Sequence, residues 1–287
     1  MKKIILAPNP LRDLGLIHTK AIKQKLEAAG ITPQIYPLNH VTEERIEPAD
    51  TAWQALSDAL SEADRVITLG GDGTILHIAR IAAPYAVPIL TINLGRKGFM
   101  AELAPEELDK ICETVTAEHV RCEDRMMIDV EVTRDKKVIY EGFALNDVVA
   151  KGMARSVDFS VFGDGHLITR FSGDGIIVST PTGSTAYSMA AGGPIIEPTA
   201  QSLTVTPICA HALQAKSFVL APEREVTVQI ILPHGKQGYL SVDGGNFHLE
   251  DQDKIRIARS RHITRLIKAS HLSFYQVVSE KLREGSP

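Results

Sequence analysis

The hydrophobic period of this chain changes once, between residues 115 and 128, and this change limits the folds open to it. Before the change, short apolar runs alternate with runs that repeat apolar residues at helical spacing, such as Ile75 and Ile78. That alternation is typical of a parallel α/β sheet. After the change, apolar residues recur at every second position, as in Val226 and Val228, with turn residues between the runs. The sequence therefore predicts an α/β region followed by an all-β region.

We expect residues 1–118 to form an α/β domain with a parallel, Rossmann-like sheet, and residues 119–258 to form an all-β domain. Residues 259–287 are expected to return to the first domain and to end in a helix from Phe274 to Arg283. The strands expected in the first domain are Ile4 to Ala7, Gln34 to Tyr36, Val66 to Leu69 and Ile89 to Asn93; the helices are Lys20 to Ala29, Trp53 to Leu60, Ile75 to Ala83 and Pro105 to Val115.

Composition excludes several classes of partner. The 287 residues are 44% hydrophobic and carry a formal charge of −4, which gives no general attraction to nucleic acid or to an anionic membrane. The three cysteines lack metal-ligand spacing, and the apolar stretch after Met1 is too short for a signal peptide. We therefore expect a cytoplasmic protein that binds neither nucleic acid nor membrane.

The run Gly70-Gly71-Asp72-Gly73-Thr74 places one acid among three glycines where a predicted strand becomes a predicted helix, with Thr74 placed to cap the first turn. Glycines allow a ligand to approach the backbone, and free N–H groups at a helix start favour a phosphate. A carboxylate repels phosphate, so Asp72 is expected to take a proton from an attacking hydroxyl or to help hold a phosphate-bound Mg²⁺. The alternative is simple turn chemistry, which we favour for Gly163-Asp164-Gly165, a predicted hairpin. The chain has no Walker A motif and no Gly-x-Gly-x-x-Gly.

A second cluster, Ser179-Thr180-Pro181-Thr182-Gly183-Ser184-Thr185-Ala186-Tyr187-Ser188, crowds hydroxyl groups into a turn that follows an apolar strand and precedes a predicted helix from Ala186 to Ala191. Such a turn can present donors to a heterocycle, a ribose or a phosphate, or it can simply cap itself. The pair Asn146-Asp147 follows another apolar run and can grip vicinal hydroxyls or close a turn. Taken singly, each signal has a plain structural explanation.

In combination and in this order, the motifs GGDGT, Leu145-Asn146-Asp147, Ser172-Gly173-Asp174-Gly175, STPTGSTAYS and Ala191-Gly192-Gly193-Pro194 resemble those of the NAD kinase family. The resemblance runs from about Val66 to Ile257, and the STPTGSTAYS stretch is its most specific part. It implies transfer of a phosphoryl group from ATP or polyphosphate to the 2′-hydroxyl of the adenosine ribose of NAD, which gives NADP. It also implies a divalent ion such as Mg²⁺, NAD binding by the all-β domain, and a homodimer or homotetramer.

The resemblance also assigns roles to residues. Asp72 matches the proton acceptor, and Asp174 matches an acid that reaches NAD bound by a neighbouring subunit. No residue is assigned as a dedicated metal ligand. The positions matched to substrate binding are Gly70, Gly71, Gly73, Thr74, His77, Asn146, Asp147, Arg155, Asp174, Thr185, Ala186, Tyr187, Ser188 and Asn246.

Two departures from the family pattern affect these assignments. Ser172 stands where many members have Arg, so one contact to a phosphate or to the adenine is either missing or supplied by Arg155 or Arg170. Where many members read Val-Asp-Gly-Gln, this chain reads Val242-Asp243-Gly244-Gly245-Asn246, so Asn246 is expected to replace the glutamine after a shift of one residue. Two other functions stay open on the sequence: a diacylglycerol-type lipid kinase, which shares GGDGT, and a non-catalytic dinucleotide sensor.

Overall fold

The computed structural model describes residues 2–38, 51–95, 98–153, 156–211, 215–233 and 237–284. The described residues divide into two compact units: the first runs to Arg125 and resumes at Ile263, and the second runs from Met126 to His262. The first unit therefore contains both ends of the described chain, and the second is a single continuous stretch. None of the helices in the described ranges has the length and apolarity that a membrane crossing requires.

The first unit is built on a parallel sheet in which the strands lie in the order β2-β1-β3-β4. Its elements are β1 (Ile4–Pro8), α1 (Ile17–Ala28), β2 (Gln34–Ile35), α2 (Thr51–Ser61), β3 (Arg65–Gly70), α3 (Asp72–Ala82), β4 (Ile89–Asn93) and α4 (Leu108–Thr116). The strand Lys254–Ile267 adds its last residues beside β4, with Leu266 opposite Ile89, and α6 (Phe274–Glu284) follows. These observations confirm the α/β region and the closing helix.

Burial in the first unit follows the sequence periods. Every residue of β1 and β3 is buried, as expected for strands covered on both faces. In α3 the buried side chains include Ile75, Ile78 and Ala82, which recur at helical spacing. The sheet thereby has a fixed register, and its carboxyl edge holds the loops that follow β1, β3 and β4.

The second unit is antiparallel, which confirms the all-β region. The further strands are β5 (Cys122–Arg134), β6 (Lys137–Ala144), β7 (Asp147–Gly152), β8 (Val157–Gly163), β9 (His166–Gly173), β10 (Gly175–Ser179), β11 (Leu203–Ile208), β12 (Phe218–Leu220), β13 (Val226–Ile231), β14 (Gly238–Val242), β15 (Gly245–Leu249) and β16 (Lys254–Ile267). One six-stranded sheet has the order β12-β11-β10-β7-β14-β15, and β13 pairs with β8 and with the start of β16. The core of the unit is formed by alternating inward side chains such as Val226, Val228 and Ile230.

Two local predictions have clear outcomes in the second unit. The predicted hairpin at Asp164 is confirmed, since β8 and β9 pair antiparallel around it and Asp164 and Gly165 have φ values of 48° and 79°. The predicted helix from Ala186 to Ala191 is shorter than expected. A 3₁₀ turn at Gly183–Thr185 precedes α5 (Tyr187–Ala190), because Ala186 has a non-helical ψ of −128° that separates the two.

Candidate functional site

The glycine loop lies where β3 becomes α3. Gly71 is the residue that precedes the helix, with φ −108° and ψ −172°, and Asp72 is the first helical residue. The prediction that Thr74 caps the helix is therefore wrong, because the extended backbone of Gly71 starts the helix earlier. Thr74 lies inside the first turn, and its Oγ1 accepts a hydrogen bond from Nδ2 of Asn9 at 3.1 Å. A Cβ on Gly70 would lie 2.3 Å from that Oγ1, so this position requires glycine.

The carboxylate of Asp72 is held against the loop that follows β4. Its Oδ2 accepts a hydrogen bond from the N–H of Phe99 at 3.1 Å, whereas its Oδ1 is buried and has no hydrogen-bond partner among the described residues. A Cβ on Gly98 would lie 2.0 Å from Oδ1, so the missing side chain of Gly98 is what lets the two segments meet. Burial raises the pKa of Asp72, while the N–H groups of Phe99 and Met100 and the charge of Lys281 act in the opposite direction.

The open side of the loop lies at Gly71 and Gly73. A Cβ built on either glycine would meet no heavy atom within 4 Å among the described residues. The start of α3 therefore offers backbone N–H groups on a face that a ligand can approach, and the helix dipole favours an anion there.

Sequence reasoning missed two asparagines at this sheet edge. Asn9 follows β1 and is 6% exposed; its Oδ1 accepts the N–H of Leu11 at 3.0 Å. Asn93 ends β4, donates from Nδ2 to the carbonyl of Gly95 at 2.8 Å, and has a buried Oδ1 without a partner among the described residues. Their position in the sequence could have identified them, because both asparagines come at the ends of apolar strands, and the carboxyl ends of parallel strands meet at one edge of the sheet.

His77 lies one helical turn after Gly73. Its ring packs edge-on against Trp53 of α2, with 5.2 Å between the ring centroids and an interplanar angle of 86°. The contact fixes the imidazole on the surface of α3 without burying it fully.

In the second unit, Asn146 and Asp147 are at the start of β7 and are each 8% exposed. The Oδ1 of Asn146 is buried without a partner among the described residues. Burial, together with the charge of Asp243, raises the pKa of Asp147 to about 8. Either form of the carboxyl can accept a hydrogen bond from a sugar hydroxyl, and the protonated form can also donate one.

An open cavity of about 740 Å³ brings Asp147 together with Tyr187 and Asn246, three residues expected from the sequence. Lys151, Tyr239 and His248 also line it and were not predicted; the full lining is Asp147, Val149, Lys151, Met153, Tyr187, Gln237, Gly238, Tyr239, Ser241, Gly244, Asn246, Phe247 and His248. The Nζ of Lys151 donates to the hydroxyl of Tyr187 at 2.7 Å and lies 4.9 Å from the centre of its ring. A pocket with aromatic walls and a few polar groups suits a nucleotide.

The hydroxyl-rich turn uses part of its side chains internally. Ser188 is fully buried and shares a hydrogen bond with Thr206 Oγ1 at 3.1 Å, and Thr185 Oγ1 donates to the carbonyl of Thr182 at 3.2 Å. Ala186 donates its N–H to the carbonyl of Gly183 at 3.0 Å. These side chains therefore stabilise the turn itself, which was the second of the two roles considered from the sequence. Tyr187 is the member of the turn that reaches the cavity.

Asp174 does not line this cavity. It is exposed between β9 and β10, where its Oδ1 accepts from Ser156 Oγ at 3.4 Å, and the same hydroxyl lies 3.2 Å from Nε2 of His211. Arg155 lies outside the described residues.

Comparisons with known proteins agree with this arrangement. Residues 13–120 match the family of the ATP-NAD kinase N-terminal domain, and residues 145–269 match that of the ATP-NAD kinase C-terminal domain. The chain is 38% identical to a NAD kinase of Natranaerobius thermophilus over 96% of its length and 99% of that protein. It is 41% identical to a NAD kinase of Carboxydothermus hydrogenoformans over 80% of its length and 83% of that protein.

Two solved structures share the fold at 23% sequence identity. Yeast NADH kinase complexed with NADH matches with a TM-score of 0.83, covering 100% of this chain and 89% of that one. A NAD kinase from Archaeoglobus fulgidus in complex with ATP matches with a TM-score of 0.75, covering 100% of both chains.

Proposed function

This chain belongs to the ATP-NAD kinase family and phosphorylates NAD, and from that premise we propose that it transfers the terminal phosphoryl group of ATP to the 2′-hydroxyl of the adenosine ribose. The observation that carries the proposal is the Asp72 carboxylate, which is held at a helix start with one oxygen bonded to Phe99 and the other without a partner among the described residues. That second oxygen is buried but has an unused acceptor position, which we propose receives the proton of the attacking hydroxyl when the substrate is bound.

The reaction we propose is a direct displacement. The 2′-oxygen forms a bond to the γ-phosphorus of ATP, the bond from that phosphorus to the β,γ-bridging oxygen breaks, and the electron pair leaves with ADP. The hydroxyl proton passes to Oδ1 of Asp72. The raised pKa of this carboxyl brings it nearer to the working pH, which makes it a better general base.

The loop and the cavity have separate tasks in this proposal. The open backbone of Gly71 and Gly73 receives phosphate oxygens, and Gly70 leaves room for the Thr74 side chain in the first turn. His77 lies on the same helix to contact the phosphates. In the second unit, Asn146 and Asp147 orient the ribose, and Tyr187 contributes an aromatic surface for the adenine, with Asn246 in the same cavity lining. Thr185, Ala186 and Ser188 support Tyr187 through the hydrogen bonds of the turn. Positioning of this kind is what phosphoryl transfer chiefly needs.

A divalent ion fits these residues. No group of three or more His, Cys, Asp or Glu side chains that could hold a metal occurs in the part of the chain that the structure describes. Mg²⁺ is commonly held by substrate phosphates and by one or two carboxylates, and Asp72 would supply a carboxylate in the alternative in which it does not take the proton. When bound, the ion neutralises charge on the phosphates.

We also propose a cytoplasmic homo-oligomer, dimeric or tetrameric, in which Asp174 reaches NAD bound by a neighbouring subunit. The exposure of Asp174, away from the cavity lining of its own chain, supports this assignment. Polyphosphate stays open as a second donor.

The test is an incubation of the purified protein with ATP, Mg²⁺ and NAD, followed by an NADP-specific dehydrogenase. Parallel reactions contain NAD that lacks the adenosine 2′-hydroxyl, or vesicles with diacylglycerol. We expect NADP from NAD and no transfer to the other two acceptors, because a site built to pair a hydroxyl rejects the analogue that lacks it by about 10⁴-fold or more. Transfer to the lipid and none to NAD would refute the proposal, and binding of NAD without turnover would favour a sensor.

A further inference from the structure

The turn between β14 and β15 contacts the segment that carries Asn146 and Asp147. Asp243 and Gly244 form this turn with φ values of 46° and 90°, a left-handed backbone that Asp tolerates better than most residues. The turn closes the pairing of Val242 with Gly245. The backbone of this turn is thus that of an ordinary hairpin, and the side chain of Asp243 is what distinguishes it.

The Asp243 carboxylate accepts hydrogen bonds from three consecutive N–H groups. Oδ2 accepts from Leu145 at 2.6 Å, and Oδ1 accepts from Asn146 at 2.9 Å and from Asp147 at 3.1 Å. The N–H of Asp243 donates in return to the carbonyl of Asp147 at 3.1 Å. Hydrogen bonds to a charged acceptor are about twice as strong as neutral ones, so this set fixes the backbone from which both side chains project.

A second Asp-Gly turn in the same unit provides a comparison, because its aspartate has the same backbone conformation but different hydrogen-bond partners. Asp164, at φ 48°, accepts from the N–H of Glu225 at 3.0 Å and from Arg224 at 2.9 Å, on an exposed surface. Asp164 thus joins its hairpin to a neighbouring surface segment, whereas Asp243 joins its hairpin to the segment that carries the candidate ribose-binding pair.

We propose that Asp243 is a positioning residue for NAD phosphorylation, which sets the direction of the Asn146 and Asp147 side chains through the backbone of Leu145 to Asp147. The inference rests on the proposed function and extends it to a residue that does not line the cavity. Asp243 acts in two ways, since its charge also supports the raised pKa of Asp147, after burial. The other titratable groups that line the same cavity are Lys151, Tyr187, Tyr239 and His248.

The first test compares Asp243→Asn with the matched control Asp164→Asn. Asparagine keeps the left-handed turn in both, but at 243 its amide nitrogen cannot accept an N–H. We expect kcat/KM for NAD to fall by about 10²-fold in Asp243→Asn, as small misplacements at a reacting centre do, with the KM for ATP within about twofold of wild type. Asp164→Asn is expected to match wild type in both.

The pH profile separates positioning from general loss of structure. Removal of the Asp243 charge lowers the pKa of Asp147. In a plot of kcat/KM for NAD against pH, the part of the curve that follows the ionisation of Asp147 is therefore expected to shift to lower pH in Asp243→Asn and to stay in place in Asp164→Asn. A folded Asp243→Asn protein with wild-type kcat/KM for NAD and an unshifted profile would overturn the proposal.

A measurement on the wild-type chain keeps the inference testable if Asp243→Asn does not fold. The amide protons of residues 145–147 are expected to resist hydrogen exchange, because all three N–H groups donate to the Asp243 carboxylate. Rapid exchange of all three would overturn the proposal whether or not the protein makes NADP. Conversely, if the wild type makes no NADP although these amides are protected, the proposed function is wrong, but the hydrogen bonds to Asp243 are still supported.

Discussion

Replacement of Asp147 by Asn is expected to stabilise the protein, and to stabilise it more as the pH rises. Asp147 is 8% exposed, and its pKa is raised from 3.8 to about 8 by burial and by Asp243. Between those values the folded protein keeps a proton that the unfolded chain releases, so the wild-type free energy of unfolding decreases as the pH rises. Asparagine does not ionise, so the free energy of unfolding of Asp147→Asn does not decrease in this way.

The size of the effect follows from the pKa difference. Each unit corresponds to about 1.4 kcal/mol, which gives an upper limit of about 5 kcal/mol at pH 8 and about half of that at pH 6. Above pH 8 both states are ionised in the wild type, and the difference between the two proteins becomes constant.

The assay is urea unfolding of wild type and Asp147→Asn, followed by circular dichroism at several values between pH 5 and 9. Asp164→Asn is the control, because the N–H of Glu225 and the side chain of Arg224 lower the pKa of Asp164. The contribution of Asp164 is therefore present above its unfolded pKa and is lost only as the pH falls toward acid, so its variant is expected to differ from wild type by a constant amount in this range. A gain in Asp147→Asn that does not change with pH would refute the reasoning.

Three further predictions concern the catalytic loop and assembly. Asp72→Asn is expected to lower kcat for NADP formation by about 10² to 10⁴, and the wild-type rate is expected to fall as the pH drops through the raised pKa of Asp72; a folded variant with normal kcat would contradict the assignment. Gly98→Ala places a Cβ 2.0 Å from Asp72 Oδ1, so kcat should fall by about 10-fold or more while the KM for NAD is unchanged; a full rate would show that the contact does not matter. Dilution is expected to reduce specific activity, and light scattering that shows a fully active monomer would remove the role of Asp174 across subunits.

The sequence predicted the fold class because the buried strands and amphipathic helices of this chain have unambiguous periods. The apolar runs around Val66 and Ile89 and the alternation at Val226 each had one reasonable structural reading. The error at Thr74 was local: a Thr after three glycines resembles a cap, but the extended conformation of Gly71 begins the helix at Asp72. Glycine conformation is set by tertiary contacts that sequence spacing does not reveal.

Residues of the candidate site could be predicted from the sequence only where they belong to a recognisable motif. Asp147 and Tyr187 were identified by motif and do share a cavity. Gly98 was not identified, and Asp243 was noted only as part of a family motif, without a role. Gly98 contacts Asp72, which is 26 positions away, and Asp243 contacts Asp147, which is 96 positions away. Such long-range contacts leave no periodic trace in a single sequence.

The division of the chain has a consequence for synthesis. Residues up to Arg125 leave the ribosome first, yet their unit also needs the strand end that pairs Leu266 with Ile89, and Lys268, which contacts Glu102. The second unit, continuous from Met126 to His262, has all of its residues before those arrive. The synthesis of the unit that holds the glycine loop therefore begins before that of the β unit and ends after it, so a chain that ends before Ile263 would contain Met126 to His262 in full but lack part of the α/β unit. Such an incomplete unit exposes apolar surface and is prone to aggregate.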